Sequence, residues 1–166
     1  MSTVAAVAAS WTDQPGVPLL GVSAACEQGR TRVTLRQQRF SSGAPLAGGP
    51  WRIPVVLRHG AQQRTVLLDK PEARLDWPGC SAAPLLANAG AAGYYRVEYD
   101  AGLAQRNARA FVSLPAADRV ALLNDGQALA VAARRPAGEQ FADQFAMLAQ
   151  LPRVQDDSRA AMFTLA

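Results

Sequence analysis

Arg32-Val33-Thr34-Leu35-Arg36 is the stretch that decides the fold, because two apolar side chains alternate there with three polar ones. In an extended chain successive side chains leave opposite faces, so this pattern makes one dry face and one wet face. The same period of two runs from Val17 to Tyr99. Trp51, Ile53, Val55 and Leu57 share one parity, and Tyr95, Val97 and Tyr99 share another. Turn formers punctuate the runs at Glu27-Gln28-Gly29, Ser42-Gly43-Ala44-Pro45, Gly48-Gly49-Pro50, His59-Gly60 and Trp77-Pro78-Gly79. About seven strands at this spacing predict a β-sandwich. Its links are too short for helical crossovers, which predicts antiparallel pairing.

After Asp100 the period changes. Leu103 to Leu114 reads as one helix. Pro115 then suits the first position of a second, with Asp118 in the first turn where negative charge complements the helix dipole. Leu122 with Leu123 recurs as Leu129 with Ala130, giving that helix an apolar face. Arg134-Arg135-Pro136-Ala137-Gly138 ends it. Phe141, Phe145 and Leu148 mark the inward stripe of a third helix stopped by Pro152. A fourth starts around Asp156 and Asp157 and carries Met162, Phe163 and Leu165 into Ala166. Short helices with so few partners for their apolar faces imply a truncated helical bundle or α-solenoid. The fold class is therefore mainly β followed by α, a seven-stranded antiparallel β-sandwich plus three to four helices. Exposed apolar surface is expected on the Ala-rich start and on the Met162 to Leu165 end.

The chain has 166 residues, 49% of them hydrophobic, enough to bury a core. Its net charge of +4 comes almost wholly from arginine. Arg30, Arg32, Arg36, Arg39, Arg52, Arg58, Arg64 and Arg74 are scattered among apolar residues as on the wet face of a sheet, so no nucleic-acid surface is predicted. Cys26 and Cys80 lack metal-knuckle or redox-motif spacing. Their spacing leaves a disulfide open while favouring two inert, partly buried thiols. Met1 to Ser10 has no basic leader and is too short for a membrane segment, so it reads as the end of an Ala-rich helix.

Chemistry-bearing residues are sparse. His59, the sole histidine, sits beside Gly60 and reads as a solvent-exposed turn residue. No H-E-x-x-H stands in the chain, so the ligands of a zinc protease cannot come from it. Asp156 and Asp157 point about 100° apart on a helix and read as capping residues. Glu98 and Asp100 read as solvated acids of a terminal strand. Gly90-Ala91-Ala92-Gly93 precedes a strand, not a helix, and reads as a tight turn rather than a phosphate loop. No catalytic, cofactor-binding or metal-ligating residue is assigned.

Four ordered segments carry a resemblance. Trp11-Thr12-Asp13-Gln14-Pro15-Gly16-Val17-Pro18 is similar to a W-T-x-Q-x-G-x-P motif, and Gln38-Arg39-Phe40 followed by Trp51-Arg52-Ile53-Pro54-Val55 to Q-x-R-F then W-x-I-P-[LV]. Asn88 through Gly93-Tyr94-Tyr95-Arg96-Val97-Glu98-Tyr99-Asp100 resembles N-x-x-x-x-G-Y-Y-R-V-x-Y-D. Leu114 to Leu129, with Asp118, Arg119, Leu122, Asp125 and Ala130 in place, resembles L-x-x-x-D-R-x-x-L-x-x-D-x-x-x-L-A. Together they resemble the region after the catalytic domain in the M1 family of zinc aminopeptidases. Gly126 departs from the pattern, and after Gly138 the match fades. The resemblance implies residues 1–13 as the end of a catalytic-domain helix and linker, 14–100 as the β-sandwich domain, and 101–166 as the start of a C-terminal helical domain. It implies a parent that removes N-terminal residues from peptides with one zinc held elsewhere, and a structural spacer role for these residues. Their partners would be the catalytic domain and the remaining helical domain of the parent, and the sequence leaves its compartment open between a soluble cytoplasmic and a periplasmic protein. In Tyr94-Tyr95-Arg96, one tyrosine is expected to pack inward while the other and Arg96 hydrogen-bond across the seam between sandwich and helices. The competing reading is an independent peptide- or carbohydrate-binding module, against which Trp11, Trp51 and Trp77 are placed like core or seam residues.

Overall fold

The structure, a computed structural model, describes residues 4–42, 48–134 and 137–151, without the side chains at 137 and 139–141. Helix α1 (Val4–Thr12) leads into β1 (Pro18–Glu27), β2 (Arg30–Arg39), β3 (Ile53–His59), β4 (Gln62–Leu68), β5 (Glu72–Pro78), β6 (Leu85–Ala87) and β7 (Arg96–Tyr99). The strands form two sheets, in the orders β5-β2-β1-β7 and β4-β3-β6. Alternation builds the core as expected: Val33, Leu35, Ile53, Val55 and Leu57 are fully buried between the sheets with Trp51 and Trp77. Trp11 packs on the rim of that core, and its indole N–H donates to the Arg52 carbonyl at 3.2 Å.

One pairing departs from expectation. β7 runs parallel to β1, with Leu20 opposite Val97, so the larger sheet is mixed while the smaller is antiparallel. No hairpin joins these two strands. The chain traverses β2 to β6 before returning to the β1 edge, and a connection that long permits either direction.

Helices α2 (Ala101–Arg109), α3 (Ala116–Val131) and α4 (Ala137–Ala149) follow. The helix expected to reach Leu114 stops at Arg109, and a separate 3-10 turn, Phe111–Ser113, buries Phe111 completely. Pro115 caps α3 with an extended ψ of 150° instead of entering it. The stripe expected on α4 holds at Leu148, which packs against the helical core, and fails at Phe145. Met147 is buried against Ala108, Phe111 and Leu123, whereas Phe145 is 67% exposed. The Phe141 side chain, Pro152, Asp156, Asp157, Met162, Phe163 and Leu165 lie outside the described residues, as does most of Ser42-Gly43-Ala44-Pro45.

Cys26 and Cys80 are disulfide-bonded with Cα atoms 5.4 Å apart, which corrects the reading of two inert thiols. Both are exposed. Cys26 lies at the end of β1 and Cys80 just beyond β5, on either side of β2. The Thr31 hydroxyl donates to the Gly79 carbonyl at 2.8 Å, and Arg30 bridges to Gly79, drawing the second cysteine toward the first. Linear spacing cannot show that one strand separates them. Among the described residues no helix is long and apolar enough to cross a membrane.

Candidate functional site

The most constrained polar chemistry lies where α3 meets the sandwich. Asp118, Leu122, Asp125 and Leu129 follow one another at helical spacing, so two carboxylates share the stripe of the helix that faces the sheets. Asp118 is 2% exposed. One of its oxygens pairs with Arg58 of β3, and the other accepts the Gly90 N–H at 2.7 Å. Asp125 accepts from Arg96 at 3.2 Å and from the Val97 N–H at 3.1 Å. The Val97 amide belongs to an edge strand, where a carboxylate closes a donor that would otherwise await another strand. Burial pushes the Asp125 carboxyl up to about 6, with Arg96 and the Val97 amide pulling the other way.

The Gly93-Tyr94-Tyr95 turn is shaped by the same seam. Asn88 brackets Gly93, its carbonyl oxygen accepting the Gly93 N–H at 2.7 Å and its amide donating to the Gly93 carbonyl at 3.0 Å. A Cβ on Gly93 would stand 2.1 Å from the Tyr95 ring, so only glycine lets that ring fold back into the core. Tyr95 is buried and Arg96 crosses the seam, as expected. Tyr94 does not cross it; its ring is 76% exposed. The Tyr99 hydroxyl instead accepts the Ala87 N–H at 2.9 Å, and burial drives its proton affinity well above the ordinary range.

Several other residues depart from the sequence-based expectation. His59 is 5% exposed, edge-on to Trp77 with ring centroids 5.6 Å apart, and is no solvent-exposed turn residue. The alternation of β3 that buries Leu57 also buries His59 two positions on. Its imidazole pKa is lowered, chiefly by burial and further by the Arg106 charge. Glu98 is not merely solvated, because Arg134 pairs with it at 3.2 Å. Asp100 caps α2 through the Leu103 N–H at 2.8 Å and accepts the Ala24 N–H at 3.0 Å. Gly90 lies in a 3-10 turn, Ala89–Ala91, at φ 74°. Its amide does hold an anion, but that anion is the chain's own Asp118.

Each seam carboxylate thus has both a cation and a backbone amide for a partner. The arrangement locks α3 to both sheets. A cavity of about 60 Å³ beside Asp125 is lined by Val97, Leu122, Leu129, Met147 and Gln144, the last lying next to Gly126. Among the described residues no three His, Cys, Asp or Glu side chains converge on a point that could hold a metal, so they do not fit a zinc site. The signal for the seam was present in the sequence: two aspartates continuing a leucine stripe are buried charges in need of partners.

No family model matches the chain. It is 37% identical over 142 residues to Aminopeptidase M1 of Arabidopsis thaliana, a match covering 74% of this chain and 16% of that protein. It is 30% identical over 128 residues to a puromycin-sensitive aminopeptidase of Caenorhabditis elegans, covering 72% of this chain and 14% of the relative. The chain therefore spans only a small part of the length of these curated relatives.

Proposed function

The chain is homologous to the M1 aminopeptidases, and we propose that it serves as the non-catalytic spacer of such an enzyme, joining a zinc-bearing catalytic domain to a helical domain. The observation that carries this reading is the dual attachment of α3. Asp118 ties the helix to β3 of one sheet and Asp125 ties it to β7 of the other. A helix so held fixes the direction in which any following helices leave the sandwich. The division at residues 13/14 and 100/101 belongs to this proposal, as does hydrolysis of N-terminal residues from peptides by the whole enzyme. Zinc would be held by residues outside this chain.

Reconstitution tests the reading. The chain is mixed or co-expressed with a separately produced segment that contains H-E-x-x-H, and hydrolysis of a fluorogenic amino-acid amide is followed. Activity that requires both pieces supports the spacer role. Chelator-sensitive turnover by the chain alone, or saturable micromolar binding of peptides or glycans to it in calorimetry, would overturn it.

A further inference from the structure

The connection from β5 to β6 carries a device independent of that reading. Gly79 to Pro84 crosses from the larger sheet to the smaller one along the outside of the sandwich, and its first half is exposed. Among the described residues its fastenings are few, the Arg30–Gly79 bridge being one. The Cys26–Cys80 disulfide and the Thr31 hydroxyl hold its start, Arg106 donates to the Ser81 carbonyl at 3.3 Å, and the Gly60 N–H donates to the Pro84 carbonyl at 3.2 Å. Beneath it lies His59, engaged by the Ser81 backbone, with its Nε2 buried and lacking a hydrogen-bond partner among the described residues. Trp77, its N–H on the Gln62 side-chain oxygen, closes the other side. The covalent fastener of this strap is one that solvent reaches.

We propose that Cys26–Cys80 is a thiol–disulfide modification site: its reduction by a dithiol releases the strap and opens His59 to water. The S–S bond takes up two electrons and two protons to give two thiols, while the dithiol closes to its own disulfide. Exposure of both cysteines provides access for the attacking thiolate. Arg106 of α2 is the charged group acting on the imidazole, and it is tethered to the strap through Ser81, so release alters burial and charge together.

The single histidine makes the test direct, because its ring resonances in a proton NMR titration belong to one residue. The full chain is prepared without reductant, alkylated with iodoacetamide before and after dithiothreitol, and titrated in both states. The expected result is no alkylation before reduction and two alkylated cysteines after it. The His59 midpoint should lie below 6.5 when oxidised and rise toward that ordinary value when reduced, with the sheet circular dichroism retained. The double variant C26S/C80S should reproduce the reduced titration permanently. Two reactive thiols before reduction, an unchanged midpoint after it, or loss of the sheet signal on reduction would each overturn the proposal. The last outcome would make the bond a structural staple.

Discussion

Arg96 of β7 reaches Asp125 of α3 at 3.2 Å, and the same carboxylate takes the N–H of the next residue in the strand, Val97, at 3.1 Å. One side chain thereby neutralises a partly exposed cation and terminates a sheet edge. Replacing it with alanine removes the acceptor and leaves the Val97 amide buried without a partner. Asp125→Ala is expected to cost about 2 kcal/mol, within the range for hydrogen bonds to charged groups. Thermal unfolding reads this as a lower midpoint. The exposed Arg36–Glu72 pair on the outer sheet face supplies the contrast, and Glu72→Gln should change stability by less than about 0.5 kcal/mol. Equal losses in the two variants would show that α3 is not held by its carboxylate.

The same residue gives stability a pH dependence of definite sign. Burial raises the folded carboxyl from 3.8 to about 6, so between those values the folded state holds a proton that the unfolded chain releases. The contribution is fully present below about 3.8 and is lost as the pH rises through about 6. Asp125→Asn keeps an acceptor for Val97 and cannot ionise. Wild-type stability relative to this variant should fall as the pH goes from 4 to 6, measured by urea unfolding at each pH. A constant difference would mean that Asp125 ionises as in the unfolded chain.

How much of this was legible beforehand depends on the type of information each feature needs. Val33 and Leu35 declared their face, because strand period is local and burial follows parity. The direction of β7 and the joining of Cys26 to Cys80 were hidden, since both depend on which strands become neighbours across long stretches of chain. His59 was misread because a glycine beside it suggested a turn, although its parity with Leu57 pointed inward. Asp118 and Asp125 stood in plain view on a leucine stripe. Helix-dipole reasoning offered an easier explanation for the first, nothing in the local sequence named Arg58 as its partner, and Arg96, expected across the seam, had no acceptor assigned to it. Phe145 failed for a simpler reason: α4 presents Met147 together with the expected Leu148 to the helical core, and a stripe drawn through Phe141, Phe145 and Leu148 left Met147 out.

Gly93 and Tyr95 form the tightest steric pair in the seam. Gly93→Ala places a methyl group 2.1 Å from a ring carbon of Tyr95, so the ring or the turn bracketed by Asn88 must move. Overpacking of this kind costs roughly 1–3 kcal/mol. In a double-mutant cycle with Tyr95→Ala the two losses should be strongly non-additive, because the second change removes what the methyl strikes. Additive losses would assign the cost to the turn itself.

Gly126 marks the crossing of α3 and α4, and there the expected sign depends on a neighbour. Alanine is favoured over glycine inside a helix by up to about 1 kcal/mol, but the new Cβ would lie 2.9 Å from the Gln144 amide nitrogen, which donates to the Leu123 carbonyl at 3.2 Å. Gln144 ends a flexible side chain, so it can withdraw at the loss of that bond. Gly126→Ala alone should therefore change stability little. In a Gln144→Ala background, where nothing is displaced, the same substitution should stabilise by about 1 kcal/mol. Chemical denaturation of the four combinations separates the terms, and an equal gain in both backgrounds would show that Gln144 does not oppose a side chain at this position.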